Sequence, residues 1–445
     1  MILLRWHWPL AAVLAVYLVV GSAFAILTPA WQNPDEPAHY NYVRQLVVAG
    51  RFPVIESQDW TAGLVPIPPN ARDIPTAQMT YEDHQPPLFY LLSVPAFVLG
   101  QGDLVTLRFF ALLVGALVVL CAYAVVNVVF PTRSALAALS ASFVALLPQH
   151  LAVMSSYNND ALAEALISLT LLLAVRLVVG RDALIRRHVA RLGFVAGLSF
   201  LTKAQAYLAL PIALLGTWLA SRTQPIQDRR STFGLLAIVT VVAALLGLPW
   251  WARNIALYGG LDFLGLQRHN EVVIGQPTTA EWLTEHGPAE WLSRMMQTTF
   301  QSFWGQFGWM TVPLAPRIYL VLLAFTVLSA ALFFAWWLRE RRSSRTGQQG
   351  ASLTLAQSRA LTLMAVLALL TLLAFVWYNA QFVQHQGRYL FPALVPIATA
   401  LALGWDFALV RWPLLARWLW AVMSFGLAAF NLSLLFRVIL PEMNR

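Results

Sequence analysis

Charge is the first thing this sequence lacks. Only 11% of residues are Asp, Glu, Lys or Arg, while 59% are hydrophobic and the mean hydropathy is +0.65. A soluble domain averages about 25% charged residues. Apolar runs of about 20 residues recur along the chain, which predicts an all-α, polytopic membrane protein. Cysteine is almost absent too. Cys121 stands alone inside an apolar run, so no disulfide can form within the chain. Lysine is nearly missing: Lys203 is the single lysine beside 28 arginines. There is no Gly-rich phosphate loop, no HExxH-type metal spacing and no internal repeat. Nucleic acid is not an expected partner despite the +9 net charge, because the basic residues cluster in short inter-helix loops.

About eleven spans are expected, near 9–28, 107–130, 134–153, 160–179, 190–202, 206–221, 232–251, 317–338, 360–380, 389–410 and 415–437. The first has no small-residue cleavage site and is read as a retained helix. Arg5 before it suggests a cytoplasmic N-terminus. The crowded loop Arg176, Arg181, Arg186, Arg187 and Arg191 should be cytoplasmic, as should Arg222/Arg229/Arg230 and Arg339/Arg341/Arg342/Arg345. Counting back from these loops leaves both ends of Pro86–Gly100 outside. That segment is too short to span and should be a juxtamembrane or re-entrant helix. Only Asp182, Asp228, Glu340 and Asp406 are then cytoplasmic, and Glu164 lies within a span. The other fifteen of twenty acids are external. Three regions are expected: a transmembrane module over 1–252 with an external loop at about 30–105, external amphipathic helices over 253–316, and further spans over 317–445.

Five external segments carry chemistry, and each also has a structural reading. In Asn33-Pro34-Asp35-Glu36-Pro37-Ala38-His39, Asn33 and Glu36 are spaced as a capping box, or Asp35 is itself the N-cap. Functionally, Asp35 is a candidate general base, and His39 lies one turn on. Tyr81-Glu82-Asp83-His84-Gln85-Pro86-Pro87 is either a polar turn at a helix start or a donor entrance formed by Glu82 and His84. Asn159 and Asp160 head another span, as caps or as site residues. Lys203, at a tight turn, either snorkels or offers a point charge to a phosphate oxygen. Arg388-Tyr389 either anchors at the interface or presents a planar fork to an anion. Cations opposite a carboxylate suit displacement at an anomeric carbon, with a base on one side and charge stabilisation of a departing phosphate on the other.

This ordered set resembles the GT-C membrane glycosyltransferases that use polyprenyl-phosphate sugars, in particular the protein mannosyltransferase / aminoarabinose transferase-like (family 39-type) group. The acidic pair Asp35-Glu36 follows the first span, His84-Gln85-Pro86-Pro87-Leu88-Phe89-Tyr90 matches a His-x-Pro-Pro-Leu-x-Tyr motif, Asp160 falls where the group carries an acid, and Leu201-Thr202-Lys203 matches a Leu-Thr-Lys turn. The Asn33–His39 and Gln386–Pro392 segments also look like an uncharacterised bacterial branch of such proteins. The match covers about 1–220 and 384–400. It departs at Ala204-Gln205, where the group often has Gly-Pro, and it shows no counterpart of the C-terminal soluble domain of some members. The resemblance implies an inverting hexosyl or pentosyl transferase of the plasma membrane, working on its extracytoplasmic face with a polyprenyl-phosphate sugar donor, membrane lipid and an undefined acceptor. It implies Asp35 and Glu36 as catalytic, Lys203, Arg388 and His84 at the donor phosphate, and His39, Glu82, Asp160, Asn159 and Tyr389 as positioning groups. No cofactor is required by the residues, and a divalent metal stays open. The rival readings are a flippase or transporter of lipid-linked sugars and a non-catalytic lipid-sugar-binding assembly subunit.

Overall fold

The computed structural model describes residues 8–61, 67, 76–222, 229–346 and 353–444. Arg5 and Asp228 therefore lie outside the described residues, as does the side chain of Arg345. The chain is helical throughout: α1 Trp8–Leu27, α2 Glu36–Val48, α3 Leu88–Leu99, α4 Leu104–Val129, α5 Ser134–Leu146, α6 Pro148–Met154, α7 Asp160–Val178, α8 Arg186–Phe200, α9 Ala209–Ser221 and α10 Arg229–Tyr258. Then come α11 Leu266–Val272, α12 Thr279–Trp304, α13 Pro316–Thr346, α14 Leu355–Asn379, α15 Leu394–Ala408, α16 Pro413–Leu434 and α17 Leu440–Met443. One small antiparallel hairpin, β1 Gln306–Phe307 with β2 Val312–Pro313, interrupts them.

Among the described residues nine helices are long and apolar enough to cross a membrane, and a bent pair makes a tenth. The protein is a multi-pass membrane protein. The bent pair is α5 and α6, which meet at 67°. Its cause is Pro148, which offers no backbone N–H and forces Leu147 out of the helical region, to ψ 120°. The expected span 134–153 is thus a broken one. The expected span 190–202 is α8, 15 residues long with Arg186, Arg187, His188 and Arg191 in its first half. It is too short and too charged at its start to pass as a free-standing span. It packs instead on α10, where Gly193 and Gly197 admit the backbone at Val239 and Ala243. A Cβ at Gly197 would come 2.8 Å from the Cα of Ala243. This is the small-residue packing that membranes favour, since lipid supplies no hydrophobic drive between helices.

Sequence-local signals set the other ends. Asp103 accepts a hydrogen bond from the Thr106 backbone N–H and starts α4. Thr278 with Glu281 and Thr354 with Gln357 form capping boxes for α12 and α14. α12 is broken at Gly287, whose φ is +79°, just before Pro288. Helix α3 is 12 residues long, an apolar helix too short to cross a membrane, as expected for Pro86–Gly100. α10 runs on to Tyr258, past the boundary expected at 252.

The core lies where α4 meets α1, α5 and α7, with α15 and α16 closing it behind α5. At its heart is one ion pair. Arg108 of α4 grips Glu36 at the start of α2 with two bonds, Nε to Oε1 at 2.8 Å and Nη2 to Oε2 at 2.6 Å. Both side chains are at most 1% exposed. The guanidinium also donates to the carbonyls of Ala25, Thr28 and Pro29 at the end of α1. Glu36 accepts from the backbone N–H of Trp31 and of Tyr157. The capping box expected between Asn33 and Glu36 does not form. The helix starts at Glu36 itself, and the carboxylate is fully used here.

Breaking one side of such a pair leaves a buried charge unmatched, at a cost of about 3–5 kcal/mol. Glu36→Gln and Arg108→Met should each lower the detergent-solubilised melting temperature sharply. The double variant should recover part of that loss. Additive losses would contradict the pairing.

Candidate active site

The ends of five helices and turns converge on one side of the bundle. Asp35 precedes α2, and its φ of +66° is left-handed. This conformation is rare for a side-chain-bearing residue, and Asp and Asn bear it best. It turns the carboxylate away from capping, and no side-chain cap bond forms. Asp35 Oδ2 instead accepts from Arg388 Nη2 at 2.7 Å, and Oδ1 accepts from the Tyr81 hydroxyl at 3.0 Å. Arg388 Nη1 lies 3.9 Å from Asp160 Oδ2. Asp160 Oδ1 in turn pairs with Lys203 Nζ. The four charges form a ladder, Asp35–Arg388–Asp160–Lys203, balanced in sign and 80–91% shielded from solvent.

Backbone and amide bonds sew the segments together. The Leu88 N–H donates to the Leu201 carbonyl at 2.8 Å, joining the His-Gln-Pro-Pro-Leu turn to the Leu-Thr-Lys turn. Asn159 Nδ2 reaches Gln85 Oε1 and the Thr202 carbonyl. Gln205, which stands where the resembled group has Pro, donates to the Tyr389 carbonyl at 2.9 Å. Asn158, not Asn159, captures the Asp160 backbone N–H through its side chain.

Arg388 owes its place to the residue before it. Gly387 lies against the α12 backbone, where a Cβ would come 2.2 Å from the Phe303 nitrogen and 2.5 Å from the Thr299 carbonyl oxygen. Its N–H donates to Ser302 Oγ at 2.7 Å. Only glycine fits there.

Burial would push the Asp35 carboxyl up, but the Arg388 guanidinium and then His39 outweigh it and hold the pKa below the ordinary value. Asp35 is therefore ionised at neutral pH. His39 shifts down, chiefly by burial, and hydrogen-bonds the Tyr90 hydroxyl at 2.8 Å. His84 shifts well down, again by burial and then by its neighbour His269, whose ring centroid is 4.4 Å away. Its Nδ1 donates to the Tyr81 carbonyl at 3.3 Å. His84 stands beside the ladder rather than in it, and burial keeps it neutral. Asp83 turns away to Gln45. Glu82 accepts from Gln85 and stays partly open. Tyr389 packs edge-on to Tyr378.

The structure thus brings Asp35, Asp160, Lys203 and Arg388 into direct ionic contact, with Tyr389 and Asn159 alongside. Glu36 is withdrawn into its ion pair with Arg108. Three further residues carry weight that sequence reasoning missed. Arg108 sits at the start of the span expected at 107–130 and carried no motif of its own. Tyr81 read as part of a turn. His150, buried on α6, holds Glu164 through Nε2 at 3.0 Å, one turn below Asp160. Its only sequence signal was a histidine two residues after a proline in an apolar run. Among the described residues no group of three or more His, Cys, Asp or Glu side chains is placed to hold a metal.

A broken helix bundle with polar loops gathered at one end is the architecture of the GT-C membrane enzymes, and that is the fold here. The chain belongs to the DUF2142 family, described as a predicted membrane protein, whose model matches residues 76–397. Among solved structures it is similar to ArnT from Cupriavidus metallidurans, both in the apo state (TM-score 0.55) and bound to undecaprenyl phosphate (TM-score 0.52). Each match is at 15% identity and covers 98% of this chain and 73% of that one. It is also similar to the Archaeoglobus fulgidus oligosaccharyltransferase in complex with Zn and sulfate, at 17% identity and TM-score 0.51, over 97% of this chain and 53% of that one. At these identities the likeness is one of fold. No curated protein matches by sequence.

Two outcomes follow from the geometry. Gly387→Ala should displace Arg388, and a detergent-purified sample should melt lower than wild type by several degrees. An unchanged melting curve would contradict the contact with α12. A histidine with a lowered folded pKa binds fewer protons folded than unfolded, so stability falls as pH drops below about 6.5. His84→Asn keeps a donor near Nδ1 and removes the titration. It should flatten the loss of melting temperature between pH 7 and pH 5, leaving the parts due to His39 and His385.

Proposed function

We propose that the protein is an inverting glycosyltransferase that moves a hexosyl or pentosyl group from a polyprenyl-phosphate carrier to an acceptor hydroxyl on the extracytoplasmic face. One observation carries the reading: the balanced ladder of Asp35, Arg388, Asp160 and Lys203, assembled from four separate segments at one end of the bundle. The side of the membrane rests on charge. The acids paired to arginine at the opposite helix ends, Asp406 with Arg133 and Asp182 with Arg176, lie where the basic loops cluster.

In this reading Lys203 and Arg388 hold the donor phosphate, and Asp160 keeps the two cations aligned. Asp35 takes the proton from the acceptor hydroxyl. The acceptor oxygen attacks the anomeric carbon from the face opposite the phosphate, and the bond from that carbon to the phosphate oxygen breaks. The electron pair leaves with the polyprenyl phosphate, whose developing charge the two cations stabilise. His39, Glu82, Asn159 and Tyr389 line and position the substrates. Glu36 and His84 are assigned to architecture. The lipid chain has a path: an apolar cavity of about 560 Å³ lies between α12, α13, α14 and α15, lined by Phe300, Phe303, Phe325, Phe375, Leu390 and Ile397. One lining residue, Leu390, is two positions along the chain from Arg388. Undecaprenyl phosphate, present in one of the similar structures, is the carrier to try first.

Asp35→Asn tests the base. Asparagine tolerates the left-handed backbone, so the change removes charge and basicity without backbone strain. Transfer from an undecaprenyl-phosphate sugar should fall at least about 100-fold, with donor binding retained. Near-normal transfer would sink the assignment. Binding with no transfer by the wild type would favour the assembly-subunit reading.

A further inference from the structure

The four charges of the ladder are not equally free to move. Arg388 is fixed from behind, because Gly387 lies against the α12 backbone and its N–H is held by Ser302 Oγ. Asp160 begins α7, where the positive end of the helix favours a carboxylate. It is 9% exposed, and Lys203 holds its Oδ1. Asp35 is the most open of the four, with 20% of its side chain exposed. Its carboxylate is held by Arg388 Nη2 at Oδ2 and by the Tyr81 hydroxyl at Oδ1.

An anion gripped by the planar fork of an arginine takes two parallel N–H bonds. The Nε of Arg388 is buried without a partner and out of reach of solvent, so the edge open to an anion is the Nη1–Nη2 pair. Nη2 already lies 2.7 Å from Asp35 Oδ2, and Nη1 lies 3.9 Å from Asp160 Oδ2. Lys203 meets no such conflict. An ammonium has three N–H donors and can keep Asp160 while it takes a phosphate oxygen. A phosphate seated across Lys203 and Arg388 would also stand against the Asp35 carboxylate, anion beside anion, where water screens little of the repulsion.

We infer that the Asp35 carboxylate occupies, on Arg388, the place of the donor's phosphate, and that the arriving phosphate displaces it. The inference rests on the transferase reading above and adds an order of events to it. At rest the base is capped by a guanidinium, which keeps it ionised but makes it a poor proton acceptor. When the phosphate takes the Nη pair, Asp35 turns out on its Tyr81 bond, loses the cation and gains an anionic neighbour. Both changes strengthen it as a base. An acceptor hydroxyl that arrives before the donor therefore finds no free base.

The test uses the full-length protein in lipid nanodiscs and two probes. Undecaprenyl methyl phosphate carries one phosphodiester charge, and undecaprenol has the same chain without the phosphate. Asp35→Asn removes the competing charge. Asp35→Gly removes the whole carboxylate at a left-handed position that glycine accepts. Both variants should bind the phosphate probe about tenfold more tightly than wild type, the scale of one hydrogen bond between charged groups. Both should bind undecaprenol as wild type does. Saturating phosphate probe should also raise the melting temperature of each variant by more than it raises that of the wild type. If neither variant gains, or undecaprenol gains as much as the phosphate probe, Asp35 is not the competitor and the inference is wrong. If wild type and both variants bind the phosphate probe no better than undecaprenol, the phosphate site fails, and the transferase reading with it.

Discussion

One buried pair of charges underlies the rest of this molecule. Arg108 and Glu36 are sealed from water, and each is saturated by partners from three directions. The pair ties the end of α1, the entry to α2, the first turn of α4 and the backbone just ahead of α7 to a single point. It pins both ends of the stretch between Thr28 and Glu36. With it, Asp35 is held one residue away from a fixed charge, in a backbone conformation that a loose loop would abandon. An unmatched ion here would cost more than most single contacts provide, so the pair acts as an all-or-none latch on the external loop.

The ladder is built on that latch by a different principle. Its charges sit near the surface of the bundle and alternate in sign. Arg388 is pushed into place by the α12 backbone behind Gly387, and Lys203 by the turn that bonds Leu201 to Leu88. Each carboxylate therefore faces a cation that the fold has already positioned. Such preorganised charge needs little rearrangement when a phosphate arrives, which is the property that electrostatic catalysis demands.

Much of this was legible in the sequence, for identifiable reasons. Helices in a membrane announce themselves by length and apolarity, and the loop arginines fix their parity. The parity argument expected Asp35, Asp160, Lys203 and Arg388 on one side, and the structure brings the four side chains into ionic contact. What stayed hidden depended on distance. Asp35 and Glu36 are neighbours in sequence, but nothing local says which one meets Arg108 and which meets Arg388. The left-handed φ at Asp35 decides it, and that conformation is imposed from outside the segment. His84 shows the same limit. Its motif suggested an anion clamp, yet burial against His269, 185 positions further along the chain, keeps it neutral. His150 had no motif to betray it, because a proline bend brings it to Glu164, one turn below Asp160.

The Lys203–Asp160 contact has one more consequence. Lys203 carries the only side-chain amine in the chain, so amine-directed acylating reagents have a single internal target. An ammonium held by a carboxylate does not react; a freed and deprotonated one does. The rate of acylation at this position therefore clocks how often one rung of the ladder opens. Mass spectrometry of intact protein can follow that opening in native membranes.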